Sequence, residues 1–202
     1  MALMRRIDPR LILTVGFFFV AIACLQDAHV TSVWSGPNFG ISEAFMAVGL
    51  ALAFNSMVGA IVLEVLDTGA LSRPADVLTF AGFFQVVRLF GGEAGASLMG
   101  HFISLREEFH SNILGLHLQL GSAGTEQRLM GLQAALSPNS PGRTATGRAA
   151  EIVGLQVRQQ AFTLAISDSF MLIAMCCVLC LIVVAFLSKV PTQYRQITTP
   201  SS

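Results

Sequence analysis

Charge is scarce in this sequence. Only 12% of its 202 residues are charged and 53% are hydrophobic, whereas an ordinary soluble domain carries roughly 25% charged residues. That deficit excludes a conventional water-facing surface and makes lipid the solvent. Nor is there a surplus of either sign: twelve basic and twelve acidic residues cancel. No basic field is left for nucleic acid, and no acidic solvated tail. A nucleophile with a paired base, a phosphate-cradling loop and an EF-hand pattern are also missing. No catalytic residues, metal or cofactor are therefore expected, and the chain does not read as an enzyme.

What the sequence does have is four apolar blocks of the length that crosses a bilayer, about 18 residues or more. They span about 11–28, 41–66, 77–105 and 170–187. The first follows the leader MALMRRIDPR. The second has an uncharged interior, 44–63, closed by Glu43 and Glu64, and the fourth stops at Lys189 and Pro191. The basic leader, apolar core and Ala21-Ile22-Ala23 also fit a signal peptide, but three further spans favour a signal-anchor. The fold class is all-α integral membrane, with four transmembrane helices in a single membrane region, 1–202.

Orientation follows from basic residues in short loops. Arg5, Arg6 and Arg10 precede block one, Arg73 lies between blocks two and three, and Lys189 and Arg195 follow block four, while His29 to Gly40 has none. Both termini are expected in the cytoplasm and 106–168 outside it. This helical outer loop carries REEFHSNILGLHLQL, whose Phe109, Ile113, Leu116 and Leu120 recur at helical spacing. Block three is thus expected to continue past the membrane as an amphipathic helix. Glu126–Leu136 is a second short helix, SPNSPGRTATG at 137–147 a flexible connector, and Arg148–Ile166 a further helix. Ser167-Asp168-Ser169 offers an N-cap for block four.

Block three contains VVRLFGGEAGASL, 86–98. At about 100° per residue, Gly91 and Gly95 share a stripe that Gly92, Ala96 and Gly100 widen. This G-x-x-x-G pattern allows helices to approach closely in a solvent where apolar contact by itself gains little. Glu93 projects about 180° from the stripe and Arg88 about 40° from it, so the two are about 140° apart and do not neutralise each other. A charge near the bilayer centre costs about 2.5–3.5 kcal/mol on the mildest scale, so each should face a protein partner or a wet cavity. Alternatively, both lie near the ends of a shorter span and reach the interface. Asn55 and Ser56 in block two and Gln85 and His101 in block three add polar groups, and blocks one and four have almost none. The middle pair is expected to line something that the outer pair shields.

RRIDPRLILTVGFFFVA, VVRLFGGEAGASL, SLREEFHSNILG and QAFTLAISDSFMLIA together resemble the C-terminal end of the EmrB/QacA-type drug:proton antiporters, a fourteen-span branch of the major facilitator superfamily. The likeness covers nearly the whole chain. Its most specific part is Arg88 with Gly91, Gly92 and Gly95, matching R-x-x-G-G-x-x-G; Gln159 or Gln160 with Ala161, and Asp168 with Phe170, match weaker positions. Glu93 departs from the small residue commoner there, so the family lends it no role. The resemblance implies the last four spans of a carrier in a bacterial inner membrane, with the remaining helices supplied elsewhere, as for a truncated reading frame or one piece of a split carrier. Alternating access needs two bundles around a midplane site, and these spans supply about two thirds of one.

Three readings follow. The first is a fragment of a proton-coupled efflux carrier for small, amphipathic compounds, with Glu93, Arg88, Asn55 and Gln85 as proton or substrate candidates and Gly91, Gly92, Gly95 and Gly100 as packing positions. Its partners are the lipid bilayer and the remaining or split-carrier helices. The second is a free-standing four-helix protein that binds or regulates a partner, such as a membrane-fusion subunit, through its glycine seam and outer loop. The third is a membrane enzyme or redox protein built on Cys176, Cys177 and Cys180 and on His101, His110 and His117. Those cysteines sit in the most lipid-like span without His, Asp or Glu beside them, so small side chains filling a membrane helix account for them better. A solvated amphipathic helix accounts for the histidines.

Overall fold

The computed structural model describes residues 8–67, 74–119, 123–136 and 142–186, and 94% of these are helical. Five α-helices follow in chain order: α1 Pro9–Asp27, α2 Gly40–Asp67, α3 Pro74–Gln119, α4 Ala123–Leu136 and α5 Gly142–Phe186, with a 3₁₀ turn Gly36–Phe39 ahead of α2. Four of them, α1, α2, α3 and α5, are long and apolar enough to cross a membrane. The N-terminal segment with Arg5 and Arg6, the Arg73 loop, the first part of the 137–147 connector and the tail with Lys189 and Arg195 lie outside the described residues.

Local chemistry explains the helix starts. Asp8 caps α1, its Oδ1 accepting the Arg10 N–H at 3.1 Å, and Pro9 occupies the first helical position, where the absent N–H costs nothing. Ser42 Oγ donates to Phe39 O at 2.9 Å and ties the 3₁₀ turn to the first turn of α2.

α3 has 46 residues, about 69 Å at 1.5 Å per residue, more than twice the roughly 30 Å of bilayer hydrocarbon. The expected continuation of block three is therefore one unbroken helix. α5 is nearly as long, with 45 residues, and here the structure corrects an expectation. Residues 142–147 of the proposed connector are already helical, and Ser167-Asp168-Ser169 lies in mid-helix, where it cannot act as an N-cap. The side chains that would have capped have other partners: Ser169 Oγ bonds back to Ala165 O at 2.8 Å, and Asp168 binds residues of α3.

The described chain divides into two compact units. The first holds 8–28, Ser35–Ala96 and 170–186; the second holds His29–Trp34 and the described parts of Ser97–Ser169. In the first unit α1 runs antiparallel to both α2 and α5. Gly16 lies against Gly49 and Ala53, Phe19 stacks on Phe45 with ring centroids 5.6 Å apart, and Ser56 Oγ donates to Pro9 O. At the same end Arg10 Nη2 donates to Val184 O at 3.1 Å and Ala185 O at 3.4 Å, placing a cation at the C-terminal end of α5. Val20, Ala21 and Cys24 of α1 and Ala174 and Cys177 of α5 form the buried cluster, flanked by Phe17, Met46, Phe170 and Ile173.

Burial is uneven among the four long helices. The apolar window of α1 is 39% buried, those of α5 and α2 22% and 17%, and no residue of the α3 window is buried. Block one is thus the hub of this unit and block three its least covered helix. The reason is side-chain size and charge. Gly16, Ala21, Ala23 and Cys24 let neighbours close on α1, whereas Arg88 and Glu93 of α3 have no ion-pair partner among the described residues.

Candidate functional site: the charged face of α3, a buried carboxyl and an ion cluster

The membrane part of α3 presents its polar groups outward. Gln85, Arg88 and Glu93 are all exposed, as are Gly91, Gly92, Gly95 and Gly100. A Cβ built on any of these four glycines would meet nothing within 4 Å. Arg88 lies over the ring of Phe54 on α2, whose centroid is 5.4 Å from the guanidinium carbon, within cation–π range. Glu93 has no hydrogen-bond or ionic partner among the described residues. Asn55 is exposed and spends one amide proton on its own helix, donating to Ala51 O at 2.7 Å. The structure thus brings Arg88 to α2 next to Asn55 in sequence, but does not bring Glu93, Gln85 and Asn55 together.

The close helix contact expected of the G-x-x-x-G pattern on α3 occurs, among the described residues, between α1 and α2. A Cβ on Gly16 would stand 2.7 Å from Ala53 N and 2.9 Å from Gly49 O, and one on Gly49 would stand 2.8 Å from Gly16 O. Backbone meets backbone there, so no larger residue fits without the helices parting.

Two features escaped the sequence reading. The first is Asp27, the last residue of α1, which is 5% exposed and whose Oδ1 is buried without a hydrogen-bond partner among the described residues. Cys24, one turn earlier, is fully buried. The signal was an acid at the edge of an apolar run. Such acids ordinarily turn to water, so it carried little weight.

The second lies in the second unit. Arg106 and His110, one turn apart on α3, point to the same carboxyl on α5: Arg106 Nε and Nη2 and His110 Nε2 each lie 2.7 Å from Asp168 Oδ2. Because an ionised carboxylate only accepts, Nε2 is the protonated imidazole nitrogen in this bond. Asp168 precedes the apolar run that begins at Phe170. Burial pushes its carboxyl up, but the hydrogen bonds from His110 and Arg106 and their charges prevail and hold it below the usual carboxylate range. Arg106 also lies over the Phe109 ring at 4.9 Å. Nearby, Arg158 Nε donates to Glu107 Oε1 at 3.0 Å beside a shallow groove completed by Leu155, Gln159 and Phe162.

Chemically, the Asp168 cluster and the Arg158–Glu107 pair tie α3 to α5. All four cysteines are free: Cys24 and Cys177 are buried as small core side chains, while Cys176 is exposed and Cys180 partly so. Among the described residues no three His, Cys, Asp or Glu side chains converge as metal ligands. No family model, curated protein or solved structure matches the chain.

Proposed function

We propose that this chain is part of the membrane region of a proton-coupled efflux carrier for small amphipathic compounds, corresponding to the last four spans of an EmrB/QacA-type antiporter. It works with further helices that cover α3. The observation that supports this reading is the bare, ionised face of that helix: Arg88 and Glu93 stand exposed in a span of which no residue is buried. In hydrocarbon each charge costs about 2.5–3.5 kcal/mol on the mildest scale. Additional helices or a watery cavity remove that cost, and the exposed glycines at 91, 92, 95 and 100 leave room for close approach. Arg88 then pins α3, through Phe54 on one side and an acid or carbonyl of the covering helix on the other. Glu93, Gln85 and Asn55 face the path of proton or substrate. Basic residues near the helix ends favour both termini on the cytoplasmic side, and the family resemblance favours a bacterial inner membrane.

Two measurements in cells expressing the chain with its genomic neighbours test this. A photoreactive amino acid at position 91 should cross-link to a second polypeptide or to a distant helix of a longer product. Adducts with lipid alone would overturn the covered-α3 reading. Glu93→Gln should abolish the pH dependence of dye efflux at unchanged protein level, and a preserved pH dependence would remove Glu93 from the coupling path.

A further inference from the structure

The outer part of α3 keeps an apolar face where lipid no longer covers it. Arg106, Glu107 and Glu108 adjoin one another in the chain, and three successive charges mark where a helix leaves hydrocarbon. In the second unit Leu98, Phe102, Leu105, Phe109, Asn112 and Leu116 follow one another at alternating steps of four and three residues. This is a repeat of about 3.5 residues, the spacing that keeps one seam of a helix turned toward a partner helix. Leu98, Leu105, Phe109 and Leu116 are each at least half exposed, and Asn112 is exposed, so the seam is open among the described residues. α5 does not take it. Arg106, Glu107 and His110, the α3 residues that bond to α5, lie about 130° around the helix from the centre of the seam.

Asn112 identifies the occupant. A side-chain amide carries donors and an acceptor together, so it is complementary to a copy of itself. A lone amide in an otherwise apolar seam fixes register and partner number at a cost in stability. Around a two-fold axis every layer of two α3 helices meets its own counterpart: Leu98 on Leu98, Phe109 on Phe109, Asn112 on Asn112. Two copies inserted with one topology run parallel there, as this pairing requires. A helix of unrelated sequence would need its own polar group at that single layer.

We propose that residues 98–116 of two copies of this chain pair as a parallel coiled coil held in register by Asn112. This goes beyond the carrier reading, which concerns the membrane face with Arg88 and Glu93. The pairing can form without a carrier, and a carrier without the pairing.

The test uses the full chain in cell membranes, with exposed Cys176 and half-buried Cys180 replaced by alanine so that the remaining native thiols are buried. Leu105→Cys, Phe109→Cys and Asn112→Cys are introduced singly and oxidised with copper phenanthroline. Co-expression of two tagged lengths identifies a pair of copies by its mixed-length product. These three positions should form the disulfide-linked dimer several-fold faster than Ser111→Cys, which lies about 140° from the seam. Equal rates at Ser111→Cys, no dimer at any position, or a product lacking a second copy overturns the proposal. A second test adds charge on the Leu105→Cys chain. Asn112→Asp and Asn112→Lys should each reduce dimer formation several-fold, because like charges then face each other, and co-expression of the two should restore it. Undiminished pairing in either variant, or no recovery on mixing, removes Asn112 from the seam. Yields are normalised to membrane-inserted chain. Neither test involves efflux or the Arg88 and Glu93 face, so this pairing and the carrier reading can fail independently.

Discussion

Replacing Gly16 by alanine adds a single methyl group to a place where the structure has none to spare. That carbon would lie 2.7 Å from Ala53 N and 2.9 Å from Gly49 O, against the 3.4 Å at which ordinary contact begins. Both obstacles are main-chain atoms, so no rotamer change relieves them and α1 must move away from α2 by about 0.5–0.7 Å. A gap of 0.5–1 Å already forfeits about a quarter to a half of each dispersion contact, and dispersion is the chief force between helices in lipid. Overpacking of this kind costs about 1–3 kcal/mol. At about 2–4 °C per kcal/mol for a chain of this size, the midpoint of thermal unfolding in detergent micelles should fall by about 2–12 °C. The buried thiols of Cys24 and Cys177 provide the readout, becoming reactive toward a fluorogenic maleimide on unfolding, with exposed Cys176 setting the baseline. Gly91→Ala is the control: with open space around its Cβ it should leave the midpoint unchanged or raise it slightly, since alanine is the better helix former. An unaltered midpoint for Gly16→Ala, or a larger loss for Gly91→Ala, would refute the argument.

Three further outcomes are expected. Arg10→Ala removes the cation from the end of α5 and should lower the same midpoint by an amount equivalent to about 1–2 kcal/mol, whereas Arg10→Lys should recover part of the loss. Asp168 is held below its ordinary value of 3.8. Its contribution is therefore fully present above that value and disappears as the pH falls through the lowered one; Asp168→Asn should make protease resistance around 106–110 and 168 poorer at neutral pH, with the difference closing only in strong acid. Arg158→Ala breaks an ion pair whose arginine is 76% exposed, so the midpoint should change by no more than about 0.5 kcal/mol equivalent.

The parts of this fold that rest on periodicity and run length were legible in the sequence. Blocks one and two, expected at 11–28 and 41–66, form α1 and α2 with ends within two residues, because lipid requires every backbone group of a spanning segment to be satisfied within its own helix. What depends on pairs of helices was not legible. Gly91 and Gly95 advertise themselves as a motif on one helix; Gly49 and Ala53 are small residues four apart in block two, but the lone Gly16 that meets them acquires meaning only when α1 and α2 come together. Ser167-Asp168-Ser169 has the composition of an N-cap, yet Arg106 and His110, some sixty residues upstream, take the Asp168 carboxylate, and the helical pattern of 148–166 runs straight through. Asp27 was passed over for a similar reason: a terminal acid looks solvated until its burial in the folded chain is known.

The contact between Gly16 and Gly49 has a mechanical consequence. A junction formed from main-chain atoms cannot be loosened by flipping side chains, and the Phe19–Phe45 stack and the Ser56–Pro9 bond clamp it on either side. α1 and α2 therefore behave as a single stiff plate. A cross-link locking these two helices together should therefore leave the thermal midpoint of the chain unchanged or raised.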